Sequence, residues 1–301
     1  MAGMATAPNP RQALCAEVSL ADAEPLGATA SRVDTWILIE YRGLWAHDAV
    51  DGSTLSHELK AHLGRQRAAL PQSRILFVRR QERRSRDGLV AFVARTSETE
   101  RTLRRLELER YDDLLGLDLA SAGDQVEHPL LLVCTHGKHD RCCAKFGRPL
   151  YDAVREQVDE EWVWQSTHVG GDRFAGNLVV LPDGVYYGRV EPSGTWPLLE
   201  CALQGQIHLP SYRGRSCHSF PVQAAERAIR EQTGLRGVTD VRLLGVERTD
   251  GDWAVTLEAG GASYSVDVRR EEGEPTHLTC STEALRRPSR YVAGTPRARA
   301  A

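Results

Sequence analysis

His128-Pro-Leu-Leu-Leu-Val-Cys134 is an apolar run of strand length that ends on a cysteine, and the rest of the chain is read outward from it. Pro149-Leu-Tyr-Asp-Ala-Val-Arg-Glu-Gln157 reads as a helix, its leading proline suited to the first turn. Trp162-Val-Trp-Gln-Ser-Thr-His168 is a second strand, ending on a histidine. A strand, a helix and a strand in this order form a crossover unit, whose strands run parallel with a right-handed connection. Both strands then finish at one edge of the sheet. Cys134 and His168, distant in sequence, face each other there. Asn177-Leu-Val-Val-Leu181 and Val185-Tyr-Tyr-Gly-Arg-Val190 flank Pro-Asp-Gly, a strong hairpin signal, and residues 195–206 close the unit as a helix.

This order, β-α-β, β-β, α, is the thioredoxin-like arrangement, placed here at residues 126–232. Upstream, Trp36-Ile-Leu-Ile-Glu-Tyr41, Arg74-Ile-Leu-Phe-Val78 and Gly88-Leu-Val-Ala-Phe-Val-Ala94 are β-like, with helical spacing between Ser56 and Ala69. They predict an N-terminal α/β domain at 31–125, a diverged thioredoxin-like half. Its loop after Tyr41, Arg-Gly-Leu-Trp-Ala-His, contains no cysteine. The charged Arg79-Arg-Gln-Glu-Arg-Arg-Ser-Arg-Asp-Gly88 reads as a solvated hairpin turn. Residues 98–119 fit either a strand followed by a short helix or one helix. Residues 1–30, rich in Ala, Pro and small polar side chains, are expected to lack fixed structure. Val241–Val246, Trp253–Leu257 and Tyr264–Val268 predict antiparallel strands in a small β-rich C-terminal segment, 233–301, that ends in a Pro- and Arg-containing tail. The fold class is therefore α/β.

The chain has 301 residues, and 38 Lys+Arg against 41 Asp+Glu leave a formal net charge of −3. That balance argues against a protein that coats nucleic acid. No apolar run approaches the ~20 residues of a membrane-spanning helix, and the N-terminus lacks the basic and apolar regions of a signal peptide. Seven cysteines, an odd number with Cys134, Cys142 and Cys143 bunched, fit a reducing cytoplasm better than a disulfide framework.

Two loops at the shared sheet edge concentrate the unusual residues: Cys134-Thr-His-Gly-Lys-His-Asp-Arg-Cys142-Cys143-Ala and His168-Val-Gly-Gly-Asp-Arg-Phe-Ala-Gly-Asn177. Thiolate and imidazole donors together suit zinc or iron–sulfur centres. Gly170 and Gly171 permit positive φ or close backbone approach, which a cluster accepting hydrogen bonds from nearby amides requires. Arg173 and Asn177 are expected to organise the second loop through backbone hydrogen bonds. Cys15 and Cys280 read as ordinary free thiols, Cys201 as core packing and Cys217-His218 as structural.

Taken in order, CTHGKHDRCCA (134–144), HVGGDRFAGN (168–177), LPDGVYYGRV (181–190), RGRS (213–216) and QAAE (223–226) resemble the sucrase/ferredoxin-like family. The resemblance runs from about residue 130 to 230 and is weaker around WILIEY. It implies a thioredoxin-like ferredoxin carrying a [2Fe–2S] cluster on two cysteines and two histidines, the histidines in an H-x-x-x-H loop. Carried over, Cys134 matches the first cysteine, Cys143 the second and His168 the first histidine. Asp172 stands where the second histidine belongs. The fourth ligand is thus open between Asp172, Cys142 and another histidine (His136, His139 or His218), or the site holds no stable cluster. No glycosidase pair of carboxylates supports the older half of the family's name.

The resemblance implies an electron carrier rather than a catalyst. Without a G-x-G-x-x-G after a strand, neither flavin nor nicotinamide is expected, so donor and acceptor are separate redox proteins. Two other readings stay open. Cys142-Cys143 with Cys134 nearby fits a thiol–disulfide oxidoreductase, although the C-x-x-C spacing is absent. Cys, His and Asp donors also fit a structural zinc protein.

Overall fold

A computed structural model describes residues 13–80 and 87–299. Its elements in chain order begin with helix α1 (Cys15–Ala21), strand β1 (Thr35–Glu40), helix α2 (His57–Ala69) and strands β2 (Ser73–Arg79), β3 (Leu89–Thr96), β4 (Arg101–Leu108) and β5 (Asp124–Gln125). Next come β6 (Leu130–Cys134), α3 (Arg141–Arg155), β7 (Val163–Ser166), β8 (Leu178–Leu181), β9 (Val185–Tyr187), α4 (Thr195–Leu203), β10 (Tyr212–Arg215) and α5 (Phe220–Thr233). Strands β11 (Val241–Thr249), β12 (Asp252–Ala259), β13 (Ala262–Glu272), β14 (Ser289–Ala293) and β15 (Arg297–Arg299) end the chain.

The first ten strands form one sheet in the order β10-β9-β8-β6-β7-β2-β1-β3-β4-β5. Within it β9-β8-β6-β7 and β4-β3-β1-β2 repeat the same order, each with a parallel pair joined through a helix and an antiparallel hairpin beside it. Both halves are therefore thioredoxin-like. Strands β1 and β6 are buried along their whole length, which is why Trp36–Ile39 and Leu130–Cys134 are continuous apolar runs rather than alternating ones. The halves meet where β2 and β7 pair antiparallel by their last residues, Val78 opposite Ser166 and Arg79 opposite Gln165. The C-terminal ends of both parallel pairs thus converge at the middle of the sheet.

Three local expectations are corrected. The segment between β2 and β3 is not a hairpin turn: β1 lies between the two strands, so the connection crosses it. Residues 81–86 of that charged run lie outside the described residues. The helix after β6 starts at Arg141, not at Pro149. Asp140 caps it, its carboxylate accepting from the Cys142 N–H at 2.7 Å. Pro149 sits inside the helix on its exposed face, where the carbonyl it leaves unpaired can reach water. Residues 1–12 lie outside the described residues, but 13–30 are not structureless. Helix α1 packs on the 172–174 turn, and Glu24 is buried against Arg173. Small side chains suit such close packing as well as they suit disorder. Residues 98–119 resolve into strand β4 and a short 3-10 turn at Tyr111–Gly116.

The three expected C-terminal strands form a second antiparallel sheet, and the tail adds β14 and β15 to it. Helix α5 lays Val222, Ala225 and Ile229 against Val241, Val255, Leu257 and Val266 of this sheet. Among the described residues, no helix is long and apolar enough to cross a membrane.

Candidate metal centre

Cys134 is the last residue of β6, and its amide is fixed by a hydrogen bond to the Asn177 carbonyl at 3.1 Å. Cys143 lies in the first turn of α3, which Gly147 lets close onto the strand end: a methyl group there would overlap the Cys134 carbonyl. His168 follows β7, and Asp172 opens the turn that follows Gly171. Donor atoms of Cys134, Cys143 and His168 all lie within 4.8 Å of one another, and so do those of His139, His168 and Asp172. Cys143 and Asp172 make the cross-link, Sγ to Oδ1 at 3.3 Å. Both cysteines are buried, whereas the His168 and His139 side chains each keep 25% of their surface exposed.

Charge is shared inside this group. A hydrogen bond from the Cys143 thiol, helped by His168, outweighs burial and holds Cys134 well below the ordinary thiol range. Cys143, bonded to Cys134 and buried, is pushed up in return. Burial disfavours the charged form of His168, yet Asp172 and Cys134 raise its pKa to about 9. Burial likewise acts to raise Asp172, and His168 overcomes it and lowers the carboxyl. His168 Nδ1 is 2.8 Å from Asp172 Oδ1, but the carboxylate lies off the ring nitrogen's axis, and among the described residues Nδ1 has no well-aligned partner. Two sulfurs, an under-used imidazole nitrogen and a carboxylate make a donor set able to hold a metal.

The structure separates the candidates for the fourth position. Cys142 is one step from Cys143 on the helix and therefore about 100° around it. Its thiol joins Cys15 and Cys280 instead. The adjacent cysteines are consequently not a dithiol. His136 has both nitrogens engaged: Nε2 with the Ala46 carbonyl at 2.7 Å, and Nδ1 accepting from the His168 amide at 3.3 Å. His218 is locked elsewhere between Glu98 and Glu226. His139 stacks on the His168 ring with centroids 3.9 Å apart, and its Nε2 is 3.9 Å from Asp172. Asp172 and His139 are thus the two donors beside His168.

Gly170 and Gly171 both have positive φ, +104° and +80°. A side chain at either would strike Ser31 or the Arg213 guanidinium. Arg213, buried under the loop, donates to the Gly170 carbonyl at 3.0 Å and to Asn177 Oδ1 at 2.7 Å, while Asn177 Nδ2 holds the Gly171 carbonyl at 2.9 Å. Asn177 organises the loop as expected; Arg173 does not. Its guanidinium instead clamps Glu24 at 2.9 and 3.0 Å, because the turn aims it at the amino-terminal segment. Sequence reasoning missed the contribution of the first half. Ala46 holds His136, Trp45 packs edge-on to its ring and the His47 ring lies tilted against His139, centroids 4.8 Å apart. The absence of cysteine in that loop concealed its position over the site.

The family model described as Sucrase/ferredoxin-like matches residues 26–214, more than half of the chain. The chain belongs to the sucrase/ferredoxin-like family. Among curated proteins, "Altered inheritance of mitochondria protein 32" of Meyerozyma guilliermondii is 31% identical over 119 residues, covering 36% of this chain and 42% of that protein. The protein of the same name from Debaryomyces hansenii is 30% identical over 95 residues, 28% and 35% of the respective lengths. The chain thus spans less than half the length of the curated relatives it matches. Among solved structures, a Cys55Ser variant of the thioredoxin-like [2Fe-2S] ferredoxin from Aquifex aeolicus shares 22% identity at a TM-score of 0.25, covering 28% of this chain and 97% of the other. A Cys59Ser variant of the same ferredoxin matches with the same figures. Membership of the sucrase/ferredoxin-like family rests on the model match, and the thioredoxin-like fold on the chain's own strand order.

Proposed function

We propose that this chain holds a [2Fe–2S] cluster and passes single electrons between separate redox proteins. The observation that carries this reading is the meeting of Cys134, Cys143, His168 and Asp172 where two parallel strands and a helix start converge. The donors fall into two pairs, as a two-iron centre needs. The free thiols of Cys134 and Cys143 lie within 4.8 Å of each other, and His168 and Asp172 are 2.8 Å apart. The cluster supplies reversible one-electron chemistry. The protein's own part is to position the ligands and limit water. Arg213, Asn177 and the two glycines fix the His168 loop, and Trp45, Ala46 and His47 cover the cysteine loop. His168 and His139 are the partly exposed edge through which a partner's electron enters or leaves.

The test is metal and sulfide analysis of protein purified without oxygen, with electron paramagnetic resonance after dithionite reduction. Two irons and two labile sulfides per chain are expected. Cys134→Ser and Cys143→Ser should abolish the signal, and Cys142→Ser should retain the iron. Colourless, iron-free protein after reconstitution would sink the proposal. Unpaired thiols throughout the chain fit work in a reducing compartment.

A further inference from the structure

The structure gathers a second set of donors that the iron site does not use. Cys15 at the start of α1, Cys142 in the first turn of α3 and Cys280 in the segment between β13 and β14 bring their sulfurs to 3.5, 3.4 and 3.5 Å of one another. The separations along the chain are 127, 138 and 265 residues. Asp140 Oδ2 lies 3.9 Å from Cys15 Sγ, and the four donor atoms are mutually within 4.8 Å. We propose that Cys15, Cys142, Cys280 and Asp140 form a zinc site that fastens the amino-terminal helix and the 273–288 segment to the start of α3.

The chemistry is that of a structural zinc centre, three thiolates and a carboxylate around a tetrahedral ion. With bonds of about 2.3 Å such an ion spaces its sulfurs about 3.8 Å apart, so the trio needs to open by only about 0.3 Å. Outer hydrogen bonds are in place. Backbone amides of Cys15 and Ala16 point at the sulfurs of Cys280 and Cys142, at 3.3 and 3.4 Å. Asp140 is oriented by the Cys142 amide on one oxygen, and by the Cys280 amide and Thr279 hydroxyl at 2.6 and 2.7 Å on the other. A cavity of about 510 Å3 lined by Cys15, Cys280, Thr279 and His277 gives an ion a way in. What surrounds the trio is thin: Leu14, Ala16, Ala175 and half-buried Phe146. An ion explains why three distant segments converge on so small an apolar patch. The site stands independently of the iron reading, since the two share no donor.

Elemental analysis of the full chain, purified under reductant, tests the proposal. About one zinc per chain is expected beside whatever iron is present. Cys15→Ser and Cys280→Ser should each lower zinc at least tenfold and leave iron unchanged, which separates this site from the iron site. Should either variant fail to fold, alkylation of the wild-type protein decides. Cys15, Cys142 and Cys280 should be shielded from a thiol reagent until a chelator is added, and α1 should then become open to proteolysis. Zinc below a tenth per chain after equimolar zinc is supplied would overturn the assignment. So would a disulfide within the trio, or loss of iron in Cys142→Ser with zinc unaffected in the other two.

Discussion

At the scale of single residues, Asp172 is the ligand on which the potential of the proposed centre would turn. A carboxylate in place of a second neutral imidazole leaves one more negative charge on the ligand set, which favours the oxidised state. Asp172→His should therefore raise the midpoint potential by on the order of 100 mV in a potentiometric titration followed by electron paramagnetic resonance. An unchanged or lower potential would remove Asp172 from the ligand set and leave His139. Gly171 carries a different prediction. Its φ of +80° and the guanidinium of Arg213 leave no room for a methyl group. Gly171→Ala should cost about 2–3 kcal/mol in urea unfolding, against at most about 0.5 kcal/mol for Gly194→Ala, which meets no neighbour. The juxtaposition of Cys134 and His168 was legible in the sequence because one crossover unit ends on both, whereas Cys143 and Asp172 were singled out only by the resemblance to the sucrase/ferredoxin-like motifs. The parting of Cys142 from Cys143 was not legible, since it depends on the helix starting at Arg141 and thus on a capping aspartate. Cys15 and Cys280 were illegible for a deeper reason: contacts across more than a hundred residues leave no spacing signature.

At the scale of elements, α1 is the piece whose placement the composition of residues 1–30 concealed. It is held by charge as well as by sulfur. Arg173 grips Glu24, Ser19 donates to Glu24 at 2.7 Å, and Arg189 reaches the Ser19 hydroxyl at 2.9 Å. Glu24 is buried, so removing Arg173 takes away its ion-pair partner and leaves the carboxylate with the Ser19 hydroxyl, a loss of about 3 kcal/mol. Arg173→Ala should release residues 13–30 to limited proteolysis well before the sheet unfolds, while Lys145→Ala, which removes an exposed pair with Glu17, should not. Equal protection of both variants would contradict this. The first strand of each half was readable from its apolar run alone because β1 and β6 are buried on both faces. The β2 to β3 connection was misread because a hairpin and a crossover over one strand leave the same local pattern, and only the pairing of β1 with both neighbours distinguishes them.

At the scale of the whole molecule, one buried network ties the three parts together. Glu98, in the turn between β3 and β4, accepts from the Leu243 amide of β11 at 3.0 Å and meets His218 Nε2 at 2.8 Å. His218 Nδ1 meets Glu226 of α5 at 3.0 Å, and Glu226 in turn pairs with Arg230 at 2.9 Å and accepts from the Tyr212 hydroxyl. Burial alone would push His218 down, but hydrogen bonds with Cys217, Glu226 and Glu98 raise it well above its ordinary value. Burial acts to raise Glu226, and Arg230 and His218 outweigh it and hold it low. A histidine raised in the folded state stabilises fully below its unfolded pKa of about 6.5, and that contribution fades as pH climbs toward the folded value. A glutamate lowered in the folded state stabilises above about 4.3 and loses its contribution as pH falls below that. The network is therefore at full strength between about pH 4.3 and 6.5. Urea midpoints of wild type and His218→Gln check this. The wild type should lead by on the order of 2 kcal/mol at pH 6, and the lead should shrink as pH rises into the alkaline range. A lead that widened with pH would mean that His218 is buried neutral. Its two carboxylate partners would then be held by Arg230, the Tyr212 hydroxyl and the Leu243 amide, and the junction between sheet and C-terminal segment would not depend on a charge at position 218.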